Sequence, residues 1–276
     1  MRYFLLLTFV LHSGLCFPQD SISSNEISTA LIILNKARKA ADLDTVTISM
    51  SLSNGCYQHA KYLVMNKDNP LVCGMSAHKE YSSLKGYSKE GEIAGQSSVI
   101  HYVKPTEAIG GWLQTFYHRI PLLQPNLKEI GIAFYEKDGY VVSLIDCISG
   151  AHGENTKDVV YYPSDNQNNV PVSMGNEIPN PMGADGSSGF PITIYFTQEQ
   201  EVTNVRITLM DKNNKVVFCS VSTPERPATY FTQWNTICAI PRKPLIPSMT
   251  YTVTVKCIVN KKPFEKTFSF KTEKTE

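Results

Sequence analysis

At 276 residues the chain has room for one large domain or two of ordinary size. Lys and Arg number 26 against 25 Asp and Glu, and charged residues make up 18 %. That balance supplies neither the basic footprint of a nucleic-acid binder nor an acidic tail, so a role on nucleic acid is not expected.

The chain opens "MRYFLLLTFVLHSGLC", with Arg2 ahead of an apolar run from Phe4 to Leu11. The run is shorter than the roughly 20 residues of a bilayer-spanning helix, and it reads as a secretory signal peptide over residues 1–16. Gly14 and Cys16 are the small residues that precede a cut after Cys16; a lipid anchor on Cys16 is the alternative, disfavoured by bulky Leu15. No other apolar run is long enough to span a membrane, so the mature chain is expected to be secreted or extracytoplasmic with no transmembrane segment. Beyond Cys16 stand six cysteines: Cys56, Cys73, Cys147, Cys219, Cys238 and Cys257. An even number in an exported chain predicts disulfide bonds, with buried free thiols as the alternative; no CxxC suggests a zinc ribbon or redox motif.

Ile27, Leu31, Leu34 and Arg38 recur at helical spacing, and Ser23 with Glu26 forms a capping box at the start of that helix. A second helix carries Leu52, Cys56, His59 and Leu63 on one stripe. Asn66 to Ser98 lacks a sustained period and reads as a long polar loop, where function often sits. A third helix is predicted from Pro105 through "TEAIGGWLQTFYHR", then two strands in "LKEIGIAFYEKDGYVVSLIDCI" turned at Lys137-Asp138-Gly139. From about Gly150 Pro, Gly and Asn dominate, which places a boundary between Asn155 and Tyr162. Beyond it come only strand-like runs. Tyr251, Val253, Val255, Cys257 and Val259 alternate with polar residues, and "FEKTFSFKT" supplies a partner after the "NKKP" turn. With "PITIYF", "NVRITLMD" and "KVVFCSV", these predict a small antiparallel β-sandwich over residues 160–276.

The first part resembles a known family. "LNKARKAADLDTVTISMSLSNGCYQHAKYL" is similar to the opening helices of the CAP superfamily (cysteine-rich secretory proteins, antigen 5 and pathogenesis-related 1, the SCP-like group), in its bacterial-type branch. Trp112, His118, Arg119, Leu122, Leu123, Pro125, Ile130 and Gly131 stand in the order of that branch's later signature. The resemblance implies an α+β fold: a CAP α-β-α sandwich over residues 25–150, its central antiparallel sheet flanked by helices. The second part resembles the Ig-like modules that follow such domains. The family's cleft is edged by two histidines and two acids that together bind a divalent metal. Carried over, the histidines fall on His78 and His118, the first acid on Glu92 or Gln96, and the second on Thr115, which is no carboxylate.

Two imidazoles with carboxylates would suit zinc, which acidifies its bound water. With Thr115 and Gln96 at acid positions, the donor count falls to two or three, and metal binding at His78 and His118 is expected to be weak. Neither GxSxG nor HExxH is present. His59, on a helix, is expected to be a packed histidine bonded to a carbonyl, Trp112 a packing anchor, and Arg119 the holder of a carbonyl or of Glu129; His118, after a helix, is a capping candidate. Tyr81, Tyr87, Tyr102, Phe116 and Tyr117 would suit an apolar or glycan ligand. The expectation is therefore a binding module for an extracellular lipid, glycan or cell-wall component. A metal-dependent hydrolase and a structural or adhesive protein are the alternatives.

Overall fold

The computed structural model describes residues 25–183, 187–231 and 233–274. The expected signal peptide, Cys16 and Ser23 of the capping box lie outside these residues. Helix α1 (Asn25–Ala40) buries Ile27, Leu34 and Arg38 of the expected stripe together with Ala30, while Leu31 is only partly buried. Glu26 accepts hydrogen bonds from the backbone N–H and the hydroxyl of Thr106, tying the first turn of α1 to that of α4 (Pro105–Leu113). The buried Arg38 guanidinium donates to the carbonyls of Asp44, Leu122, Gln124 and Leu127, so its charge is held by main-chain dipoles rather than by an acid.

Strands β1 (Thr47–Ile48), β2 (Ser98–His101), β3 (Glu129–Lys137) and β4 (Tyr140–Asp146) form one sheet in the order β1-β3-β4-β2. β1 runs parallel to β3 and the other pairs are antiparallel, so the sheet is mixed and not purely antiparallel as expected. The turn falls where predicted. Asp138 and Gly139 both take positive φ (53° and 76°) between the paired Lys137 and Tyr140, the conformation a two-residue hairpin requires. Helix α2 (Met50–Met65) packs on one face against Ala133, Val142 and Leu144, while Ile130, Ile132 and Ile145 face the core shared with α1 and α4. Both faces are covered, which is why β3 and β4 read as continuous apolar runs. Gly131 permits the close approach of α2: a Cβ there would stand 2.5 Å from the backbone carbon of Leu52. The stretch expected as loop holds α3 (Lys89–Ser97), capped by the Ser88 hydroxyl accepting from Gly91 N.

Strand β5 (Val159–Tyr162) occupies the second half of the stretch in which a boundary was expected, Asn155 to Tyr162. Strands β7 (Ile192–Phe196), β10 (Cys219–Ser222) and β11 (Thr236–Pro241) join β5 in the order β10-β11-β7-β5. A second sheet runs β6-β13-β12-β8-β9, from β6 (Gln167–Val170), β8 (Val202–Asp211), β9 (Val216–Val217), β12 (Thr250–Val259) and β13 (Lys262–Thr272). Between the sheets Tyr161 meets Phe268 at 5.3 Å and Phe196 meets Phe264 at 5.5 Å. In β12 the buried residues are Tyr251, Val253, Val255 and Cys257, the alternation predicted. "KVVFCSV" is two strands rather than one, leaving the second sheet after Val217 and entering the first at Cys219.

The expectation of disulfides is corrected: all six described cysteines are free. In the sheet registers Cys219 faces Pro241, Cys238 faces Ser222 and Thr193, and Cys257 faces Phe264, so none has a cysteine opposite it at bridging distance. Burial raises the Cys56 thiol to about 12 and that of Cys147 well above its ordinary value.

Arg119 connects the helical part to the strands. It is fully buried; Nε donates to Leu113 O at 2.8 Å and Nη1 to Pro191 O at 2.6 Å, with the guanidinium 4.4 Å from the Phe190 ring centre and 4.9 Å from that of Tyr162. It holds carbonyls, as one expectation had it, and not Glu129. Burial lowers its pKa to about 10, which leaves it cationic at neutral pH. A single apolar cluster runs from Ile27 of α1 to Phe270 of β13.

Candidate functional site

His78 ends a short 3₁₀ turn, Gly74–His78, between α2 and α3. Its Nδ1 donates to Gly95 O of α3 at 2.9 Å. Burial lowers its pKa from the ordinary 6.5, and nearby His118 adds to the effect. His118 lies beyond the end of α4 and immediately before α5 (Arg119–Leu122), so it does not cap the C-terminus of α4 as its sequence position suggested. Its Nδ1 is 3.3 Å from Thr115 Oγ1 and 3.3 Å from Glu177 Oε2. The Thr115 hydroxyl donates to Trp112 O at 2.7 Å. Trp112 is a packing anchor: it is buried, and its indole N–H donates to Ile100 O.

These groups line two adjoining cavities. The larger, about 390 Å³, is bounded by His78, Gln96, His118, Ile178, Phe231 and Trp234 among others. The smaller, about 320 Å³, shares His78, His118 and Ile178 with it and adds His101, Thr115 and Glu177. His101, to which the sequence assigned no role, packs edge-on to Trp112 with ring centres 6.0 Å apart. Burial lowers its pKa too, and His118 contributes.

Of the two positions weighed for the first acid, Gln96 reaches the cavity wall and Glu92 does not. Glu92 accepts hydrogen bonds from Lys89 Nζ at 2.9 Å and the Tyr87 hydroxyl at 3.2 Å, which together hold its carboxyl below its ordinary range. Of the aromatics expected near the cleft, Tyr117 lines the larger cavity and Tyr102 the smaller, while Phe116 is fully buried. His59 is a framework group. Its Nε2 donates to Ala77 O at 2.8 Å, its Nδ1 meets Glu80 Oε1 at 2.9 Å, and Glu80 Oε2 accepts from Ser88 N.

The acid in this cleft comes from the other side of the chain. Glu177 lies in the Pro- and Asn-rich stretch between β6 and β7, inside the part expected to be a sandwich and given no site role there. Its Oε1 accepts from Phe116 N at 2.7 Å and its Oε2 from Tyr117 N at 2.9 Å. Gly175 N donates to Gln114 O at 3.0 Å beside it, and the Tyr117 hydroxyl meets Thr229 Oγ1 at 2.7 Å. No periodicity marks Glu177, Phe231 or Trp234.

The resemblance implies a divalent metal, and the donors present do not fit one. Among the described residues no group of three or more His, Cys, Asp or Glu is arranged to hold an ion. His78 and His118 offer one free ring nitrogen each, the two remaining positions are Gln96 and Thr115, and both Glu177 oxygens are engaged by backbone N–H groups. A zinc site needs three or four well-placed donors.

Residues 31–145 match the model of the family described as CAP, the cysteine-rich secretory protein family. No curated protein matches the chain. Solved structures similar to it include CopC from Methylosinus trichosporium OB3b, at 13% identity over 42% of this chain and 91% of that one, with a TM-score of 0.28. Another is a DUF4426-family protein from Pseudomonas aeruginosa PAO1, at 15% identity over 31% of this chain and 66% of that one, with a TM-score of 0.21. Superpositions that loose carry no conclusion about this chain. The family match supports a CAP domain over residues 31–145, the segment that supplies His78, Gln96, Thr115 and His118 to the cleft.

Proposed function

We propose that the chain is an exported binding protein, without enzymatic activity, that holds a lipid-, glycan- or wall-type molecule between a CAP domain of the bacterial-type branch and an Ig-like sandwich over residues 160–276. The export reading rests on the sequence before residue 17.

One observation carries the binding reading. The cavity of about 390 Å³ is walled on one side by His78, Gln96 and His118 and on the other by Ile178, Phe231 and Trp234. A mostly apolar concavity of this size with a few convergent polar groups, placed where two structural units meet, is the usual form of a small-ligand site. Hydrolysis would need a nucleophile or a metal-activated water, and the cleft offers neither the nucleophile nor the ligand set.

Trp234 lines the cavity whereas Trp112 is buried in the core, so tryptophan fluorescence reports occupancy. Titration with apolar and glycan probes is expected to change emission and raise the unfolding temperature, with Trp234→Phe abolishing the fluorescence change. A flat response in both measurements across lipid, detergent and oligosaccharide panels would overturn the reading.

A further inference from the structure

Three imidazoles border the smaller cavity, and their hydrogen bonds fix which nitrogen of each neutral ring carries the proton. A carbonyl oxygen only accepts, so His78 Nδ1, 2.9 Å from Gly95 O, is protonated and Nε2 holds the lone pair. At His118 the Thr115 hydroxyl has given its proton to Trp112 O and therefore presents a lone pair to Nδ1, and the Glu177 carboxylate stands 3.3 Å from the same nitrogen. Nδ1 of His118 is again the donor, which leaves Nε2 an acceptor. His101 is reversed. Its Nδ1 accepts from the backbone N–H of Tyr102 at 2.9 Å, so its proton sits on Nε2. Among the described residues no Nε2 of the three has a partner, and none is among the polar atoms buried without one, so all three remain open to a ligand.

The site thus presents two acceptors and one donor, with the engaged Glu177 carboxylate behind them. An anionic head would set its lone pairs against His78, His118 and Glu177. An ammonium head satisfies the acceptors but has nothing to accept from His101. A hydroxyl both donates and accepts, and a ring bearing several hydroxyls can meet all three nitrogens at once. The adjoining larger cavity offers Ile120, Pro121, Ile178, Phe231 and Trp234 to an alkyl chain. We propose that the cleft binds a nonionic amphiphile of the alkyl glycoside class, its hydroxylated ring among His78, His101 and His118 and its chain against Phe231 and Trp234. This rests on the binding reading above and names the ligand chemistry of the same site.

The test is calorimetric titration of the full chain with octyl glucoside below its micellar concentration, beside octanoate, octylamine and glucose. Octyl glucoside is expected to bind about tenfold tighter or more than either charged octyl compound, the discrimination that unpaired polar groups impose. Glucose alone is expected to bind too weakly to measure. His101→Phe should remove the preference while leaving octylamine binding within about twofold, and Trp234→Ala should weaken all three octyl ligands alike. His78→Leu removes an acceptor instead of the donor, and should weaken octyl glucoside and octylamine alike. If the three octyl compounds bind equally, the head-group assignment fails and the binding reading stands; if octanoate binds best, the proton assignment itself is wrong; if none binds, both fall.

Discussion

Glu177 and His118 meet at 3.3 Å although one lies between β6 and β7 of the strand-rich part and the other in the segment that matches the CAP family. The same carboxylate terminates the N–H groups of Phe116 and Tyr117, so it fixes the loop that carries His118. Glu177→Ala leaves two buried N–H groups without acceptors and is expected to cost about 2–4 kcal/mol, since bonds to charged acceptors are worth roughly 1.5–3 kcal/mol each. Glu177→Gln keeps one acceptor but turns an amide N–H toward the other donor, and should fall between wild type and Ala. Chemical denaturation of the three proteins checks the order; equal stability of Ala and wild type would show that the carboxylate does not hold the loop.

Arg119 makes the complementary link from the CAP side. Its substitution by Ala removes the bonds to Leu113 and Pro191 carbonyls together with two ring contacts, and opens a void in a sealed part of the core. The expected loss is on the order of 3–5 kcal/mol. Arg119→Lys should recover less than half of it, because an ammonium cannot present the planar fork that lies against both Phe190 and Tyr162. A protein cut after residue 158 loses these partners as well, and should unfold at a lower temperature than the full chain.

What the sequence made legible follows local chemistry. The Asp138-Gly139 turn demanded positive φ, the β12 alternation reflected one wet face, and the α1 stripe had helical spacing; each signal is set by a few neighbouring residues. β11 was missed because "TICAIP" is buried along its whole length and carries no alternation. Glu92 was weighed because it resembles a family motif, yet its helix turns it toward Lys89 and Tyr87, and the acid beside His118 came from a Pro- and Asn-rich segment with no periodicity. Tertiary placement brings Glu177, His101 and Trp234 to the cleft, and no local pattern encodes that.

Gly95 gives a prediction whose sign departs from the usual rule. Replacing Gly by Ala inside a helix ordinarily gains about 0.5–1 kcal/mol. Here a Cβ would stand 2.5 Å from Cε1 of His59, whose ring is locked by Glu80 on one side and Ala77 O on the other. The ring cannot retreat without breaking a buried bond. Gly95→Ala is therefore expected to destabilise by roughly 1–3 kcal/mol, and to disturb the carbonyl that holds His78. A rise in unfolding temperature for this variant would mean that the His59 and Glu80 pair is more yielding than its burial implies.

His78 and His101 make stability depend on pH in a stated direction. Burial is the first cause of the lowered pKa of each, and both are pushed further by His118. In the unfolded chain they titrate near the ordinary 6.5, so as pH falls through that value the unfolded state takes up protons that the folded state refuses. The unfolded state then binds more protons, and unfolding free energy falls with decreasing pH. Above the unfolded value the effect is absent; below both folded values it is complete. Asp146, whose pKa burial raises, acts in the opposite sense, but only as pH nears the carboxylate range around its ordinary 3.8. Urea unfolding between about pH 7.5 and 5.5 separates the two contributions. Stability should decline over that interval in wild type and decline less in His78→Leu and His101→Phe. An octyl glucoside complex should lose affinity only at lower pH, once the folded protein takes a proton on Nε2 of His78, because that protonation replaces an acceptor of the ligand's hydroxyl with a second donor.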